Sequence, residues 1–293
     1  MAVGRAVLVS GVLVLLFIPY LLWGTGLQTA RSQAQLRTEF ANAQRRAGVS
    51  ISGHPVAPKK GNPVSQLQVA APIADPALGA PLGVITIPAI DLSMVVVEGT
   101  ADDQLRSGPG HYPGTPLPGE AGNSAIAGHR TTYLHPFYNL NDLVAGDPIT
   151  IETVQGIFLY HVTTSLIVAP NDVSVIAATT PPTLTLTTCN PRFSATQRLV
   201  VHASLVASIL SHAKVAPASV TPKTHYPSPS GHNWWAAILW GLAVAIVITA
   251  VWAGARRVGR GGRALVLTFG LIAWLVVVFF FFQSVAPLLP ASY

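Results

Sequence analysis

Three uncharged apolar runs, Ala6 to Trp23, Trp234 to Ala253 and Ala264 to Phe282, sit at the two ends of the chain and leave the middle to fold in water. Each is long enough to cross a bilayer as a helix, which takes about 20 residues at a rise of about 1.5 Å. They explain how a 293-residue chain is 50% hydrophobic and only 10% charged, more apolar than soluble proteins are. A cleaved signal peptide is the competing reading of the first run. That run is longer than a signal core of roughly 7–15 residues, and Leu27-Gln28-Thr29-Ala30 is a poor cleavage site, so an uncleaved anchor is expected. Trp234-Trp235 opens the second run at an interface position. Arg256, Arg257, Arg260 and Arg263 crowd the loop before the third, which puts that loop in the cytoplasm. The expected location is the cell membrane, spanned three times, with Gln28 to Asn233 and the tail outside the cell.

The expected division is an anchor over 1–24, a stalk and extended linker over 25–81, and a folded domain over 82–210. A Pro-rich linker over 211–233, membrane helices over 234–253 and 264–283 around a cytoplasmic loop at 254–263, and a tail over 284–293 follow. Arg31 to Arg46 has helical propensity and no breaker, which suits a short helical stalk. All eleven carboxylates lie between Glu39 and Asp172, so the net charge of +6 belongs to termini and linkers. No basic run is interleaved with aromatics, which argues against a nucleic-acid partner. A single cysteine excludes an internal disulfide framework and a cysteine-based zinc site.

Between 82 and 210 the pattern is of short strands with turn signals between them. Gly83 to Ile90, Ser93 to Glu98, Asn123 to Ala127, Asp147 to Thr153, Phe158 to Val168, Leu184 to Thr188 and Leu199 to Leu205 alternate or run apolar. Thr100 reads as the cap of one helical turn over Ala101 to Leu105, Ser107 to Gly122 as loop, and Pro136 to Leu143 as a short helix. The residues alone give an all-β barrel or sandwich with small helical inserts.

Cys189 is the candidate nucleophile. It ends one strand, while Arg198 opens the next, so pairing brings thiol and guanidinium together. Free cysteine is often simply buried. A strand end beside polar residues, in a segment expected outside the cell, is however a poor place for an unused thiol. A thiol titrating near pH 8.5 needs a base or cation to react at neutral pH. His129 is the best base among nine histidines, because it follows a buried strand and a glycine that permits close approach. Arg198 offers a fixed fork of donors, with Arg192 as a weaker alternative. His54, His212, His225 and His232 fall in linkers; His202 is mid-strand, and His111 and His135 are loop residues that suit a groove wall.

Thr185-Leu186-Thr187-Thr188-Cys189 followed by Arg198, with Gly128-His129-Arg130 upstream, resembles the signature of sortases, the cysteine transpeptidases of Gram-positive cell envelopes. Cys189 to Ala195 with Gln197-Arg198-Leu199 is most similar to the actinobacterial class E branch, and the likeness runs from about Gly83 to Val206. It implies an eight-stranded barrel and a chemistry without metal or organic cofactor. In that chemistry Cys189 attacks the threonyl carbonyl of a sorting signal, His129 protonates the leaving amine and Arg198 steadies the oxyanion. The implied partners are secreted proteins with C-terminal sorting signals and an amine on a lipid-linked peptidoglycan precursor. Class E enzymes prefer Leu-Ala-x-Thr-Gly to Leu-Pro-x-Thr-Gly. Tyr133 resembles their loop tyrosine and would contact the signal's second position, while Thr187 and Thr188 would line the groove or donate to the oxyanion.

Two rival readings bear on the same residues. A pilus-assembling class C sortase usually carries a lid with Asp-Pro-aromatic, and the one such site here is Asp75-Pro76-Ala77, without the ring. A non-catalytic envelope module would have no need of Cys189, His129 and Arg198 together.

Overall fold

Runs of β-branched residues cut by Gly and Pro can bury themselves only by pairing, and eight of them close a barrel. The computed structural model describes residues 11–13, 15–17, 19–20, 24–49, 68–211 and 234–285. Its strands are β1 (Pro81–Ile87), β2 (Leu92–Glu98), β3 (Gly110–His111), β4 (Asn123–Ala127), β5 (Pro148–Thr153), β6 (Gly156–Val168), β7 (Thr183–Asn190) and β8 (Gln197–Leu210). Around the closed sheet the order is β1-β2-β3-β4-β7-β8-β6-β5. Closure leaves no unpaired edge, so barrel rather than sandwich resolves what the residues alone left open. Ile85, Val96, Ile126, Phe158, Leu184 and Leu186 fill the interior. Alternation therefore sends Ala125, Ala127, Thr185, Thr187 and Cys189 to the opposite face of β4 and β7.

Two pairings position the site. β4 and β7 run parallel, with Ala127 opposite Thr187, so both strands finish on the same side. β7 and β8 run antiparallel with Cys189 directly opposite Arg198. Val154-Gln155 turns the β5–β6 hairpin close to where Gln155-Gly156 predicts it.

Three expectations change. β3 crosses the stretch read as loop; at two residues between prolines it has no period to detect, and it is held by β2 and β4. Pro136 to Leu143 forms only a 3-10 turn at Leu140–Asp142. Helix α2 (Asp102–Leu105) is capped by Ala101, not Thr100, and without a side-chain bond.

Helix α1 (Thr25–Arg46) is longer than the Arg31 to Arg46 stretch read as a stalk, and residues Gly26 to Arg46 belong to the barrel unit. Leu36 packs on Val95 and Val97 of β2, and Gln44 donates to Glu152 of β5 at 2.7 Å. Residues 68–80, read as linker, also bond to the barrel: Ala70 N–H donates to Gly119 O and Ile73 N–H to Glu120 Oε1.

A separate helical unit contains α3 (Trp234–Arg257) and α4 (Arg260–Val285). α3 and the Gly262–Val285 part of α4 are each long and apolar enough to cross a membrane. Phe17 and Tyr20 stack beside Phe282 in the same unit. Only part of the first apolar run is described. The linker expected over 211–233 and the tail over 284–293 lie almost wholly outside the described residues.

Candidate active site

The parallel register sets Ala127 against Thr187 at the end of β4, with His129 two residues beyond it and Cys189 two residues further along β7. Cys189 in turn faces Arg198 across the β7–β8 ladder. β7 is the shared neighbour of β4 and β8, so it carries Cys189 between the strand that leads to His129 and the strand that opens with Arg198. His129 and Arg198 share the lining of a cleft with Leu105, Tyr112, Thr187 and Thr188. The cleft holds about 20 Å³, room for little more than one water.

Burial decides the electrostatics. His129 is 6% exposed and Cys189 4%. Withdrawal from water, and then the Arg106 guanidinium, push His129 down to about 4. Burial pushes the Cys189 thiol up, opposed by the charges of Arg198 and Arg130. Both shifts favour the uncharged forms, a thiol on Cys189 and a neutral imidazole on His129. The Arg198 guanidinium donates to the carbonyls of Ala195 and Gln197, both at 3.1 Å, which folds it back over its own turn.

The remaining candidates fall around this centre. The Tyr133 ring lies 4.9 Å from that of His129. Thr188 Oγ1 donates to Gly128 O at 2.7 Å, tying β7 to the residue before His129, and Thr187 Oγ1 shares a hydrogen bond with Tyr112 Oη at 3.0 Å. Both hydroxyls are thus engaged within the protein. Arg192 stacks on Tyr138 at 4.1 Å and donates to its carbonyl. His135 sits against Tyr138 and His202 against Thr185. His111 is fully buried on Glu98 and forms no part of the cleft.

Arg130 was not singled out as functional from sequence. Its guanidinium donates to Cys189 O at 3.0 Å, to Asn190 Oδ1 at 2.7 Å and to Asn141 Oδ1 at 2.7 Å. It therefore pins the nucleophile's own backbone to the histidine loop. The available signal was adjacency: Arg130 directly follows His129. Arg106 and Tyr112 gave no signal, since only the fold brings them near. Among the described residues no group of three His, Cys, Asp or Glu side chains is placed to hold a metal ion.

Comparison with known proteins gives a consistent result. A family model described as "Sortase domain" matches residues 85–206. Sortase SrtE1 of Streptomyces coelicolor is 32% identical over 219 residues, covering 70% of this chain and 56% of that protein. Sortase D of Bacillus subtilis is 35% identical over 117 residues, covering 40% of this chain and 58% of its own. The chain thus spans less than two thirds of the length of either relative. The solved structure of sortase E from Streptomyces avermitilis is 34% identical, covering 46% of this chain and 93% of that one with a TM-score of 0.43.

Proposed function

Because the barrel domain belongs to the sortase family, we propose that the protein is a membrane-anchored cysteine transpeptidase with Cys189 as nucleophile, His129 as acid and base, and Arg198 as oxyanion donor. The observation that carries this reading is the register that brings β4, β7 and β8 to one point. The reaction starts when the Cys189 proton passes to His129, giving thiolate and imidazolium. The thiolate attacks the threonyl carbonyl of a sorting signal, and the negative charge on oxygen is met by Arg198, a contribution of about 3 kcal/mol for one well-placed donor. The imidazolium protonates the departing glycyl nitrogen, the C–N bond breaks and a thioester remains. Neutral His129 then takes a proton from an incoming amine. That amine displaces sulfur, forms a new amide and restores the thiol.

Arg198 must swing away from Ala195 and Gln197 to reach the oxyanion, and the cleft must widen to admit a peptide. Substrate binding thus assembles the site. On this proposal Tyr133, whose ring lies against that of His129, reads the signal's second position, with Thr187 and Thr188 as wall. The partners on this reading are secreted proteins with Leu-Ala-x-Thr-Gly or related C-terminal signals, and a lipid-linked peptidoglycan amine. The arginines around the α3–α4 turn set that turn in the cytoplasm and the barrel outside. Against pilus assembly, Pro76 and Ala77 line a cavity of about 560 Å³ with Glu39, Leu82 and Gln155, none of which borders the His129 cleft.

The test incubates the full chain in detergent with Leu-Ala-x-Thr-Gly and Leu-Pro-x-Thr-Gly peptides, with and without a glycine-based amine. Mass spectrometry should find an acyl adduct on Cys189 and an amine-linked product. A folded protein that forms no adduct with either peptide refutes the transpeptidase.

A further inference from the structure

Helix α1 looks polar in sequence, yet one stripe of it is buried: Gly26, Thr29, Gln33, Leu36 and Phe40, at helical spacing. Two of these make hydrogen bonds that a passing helix would not need. Gln33 treats Val95 of β2 as a neighbouring strand would, donating to its carbonyl at 3.0 Å and accepting from its N–H at 2.7 Å. Its amide also donates to Ser107 O at 2.8 Å, and Thr29 Oγ1 donates to Arg106 O at 2.8 Å. The seat depends on a glycine, since a Cβ on Gly108 would come within 2.3 Å of the Gln33 amide. Buried amide bonds of this kind are costly to leave unmade, so α1 and the 105–108 segment are fixed to each other.

That segment leads straight to the histidine. Leu105 lines the cleft, and the Arg106 guanidinium lies 6.0 Å from the centre of the Tyr133 ring, which in turn stacks on His129. Tyr133, Leu134 and His135 all have positive φ, of 53°, 61° and 36°. Three consecutive left-handed residues without glycine persist only where the surroundings hold them, at a cost of about 1 kcal/mol or more each. The α1 helix supplies part of that hold: a Cβ on Gly26 would stand 3.1 Å from the Leu134 side chain. The loop is braced by Arg106 on one ring and by the N-terminal turns of α1 at its tip.

We propose that α1 is a positioning element of the active site, acting through Arg106 and the Tyr133-Leu134 loop to set the place of His129, so that the helix read as a stalk is part of the enzyme. The proposal rests on the assignment of His129 made above. The charged and titratable groups around His129 are Arg130 and Tyr133 on its own loop, Arg106 after α2, Tyr112 after β3 and Arg198 on β8, with Cys189 on β7. Asp102 and Asp103 pair with Arg106 at 3.9 and 3.3 Å and set its direction.

The test uses the full chain in detergent and two readouts. One is kcat and KM for peptide transfer. The other is the pH titration of the His129 imidazole followed by NMR, assigned by its loss in His129→Ala, which reports the ionisation of His129 whether or not transfer occurs. The double variant Thr29→Val with Gln33→Leu should lose kcat roughly tenfold or more with KM within about twofold, as a displaced catalytic group does. Its His129 titration midpoint should rise from about 4 towards the ordinary histidine value of about 6.5. Arg106→Gln, which leaves the α1 bonds to backbone intact, should move the midpoint the same way, and Arg106→Lys should restore it. A midpoint that stays in place in Arg106→Gln overturns the proposal, as does a folded double variant with wild-type kcat. Loss of activity with an unmoved profile in both overturns it too, since that is loss of folded protein alone. If the wild type transfers no peptide, the transpeptidase reading falls while the His129 titration still decides the role of α1.

Discussion

Two histidines lie buried in this barrel, and their surroundings give them opposite uses. His111, on β3, is 0% exposed; its Nδ1 meets Glu98 Oε2 at 2.8 Å, and its Nε2 faces Thr115 Oγ1 and Pro116 O, both at 3.0 Å. His129, just past β4, is almost as buried but has a cation, Arg106, in place of a carboxylate. A ring fixed on both nitrogens can only hold strands together. A ring kept neutral beside a thiol can accept a proton. Burial alone does not tell structure from chemistry; the charge of the nearest partner does.

The largest effect should separate the two by kind. His129→Ala should lower kcat/KM by roughly 10²–10⁴-fold, the range for removing a general acid–base group. Its melting temperature should hold or rise, because no carboxylate is orphaned. Cys189→Ala should abolish turnover with the fold intact. If His129→Ala unfolds the barrel instead, the contrast with His111 is lost. Glu98→Ala should do the reverse. Removing one partner of a buried pair costs roughly 3–5 kcal/mol, so denaturant midpoints should drop sharply, while the folded fraction keeps its activity per molecule. A folded Glu98→Ala that is stable and inactive would place the pair in the catalytic machinery.

Acid should expose the difference next. With His129 held at about 4 when folded and about 6.5 when unfolded, the unfolded chain binds more protons between those values. The stability from burying neutral His129 is therefore complete above about pH 6.5 and lost as pH falls towards 4, about 3 kcal/mol in all. A urea series over that window should show the loss in the wild type and not in His129→Ala. On the reading of a thiol that passes its proton to His129, kcat/KM should stay level from about 4 to above the ordinary thiol range. An acid limb near the ordinary histidine value would refute the neutral pair.

Much of this was legible in the residues and some was not, for identifiable reasons. Strand β4 matched to the residue, because Asn123 to Ala127 is bounded by glycines on both sides. Cys189 opposite Arg198 followed from a strand end and a strand start separated by one turn. The contrast between His111 and His129 was hidden, since β3 has two residues and its meaning comes from β2. Helix α1 was read over Arg31 to Arg46, but its seat on the barrel was hidden for another reason. Its buried stripe uses Gly26, Thr29 and Gln33, so an apolar periodicity never formed, although the spacing was there.

The smallest effect tests whether the two regions are independent. Tyr112 directly follows His111 on β3, and its hydroxyl reaches across to Thr187 Oγ1 at 3.0 Å, two residues before Cys189. Its backbone belongs to one neighbourhood and its tip to the other. Tyr112→Phe keeps the ring in the cleft wall and removes only the hydroxyl. A neutral hydrogen bond with a partly buried partner contributes about 1 kcal/mol, so chemical denaturation should show a loss of that size. Because Thr187 stays paired in the β4–β7–β8 ladder through its backbone, the nucleophile should not move, and kcat/KM should change less than about fivefold. A fall of a hundredfold would mean that the structural histidine's strand tunes the catalytic one through this hydroxyl, and the division between a holding region and a reacting region would have to be redrawn at Tyr112.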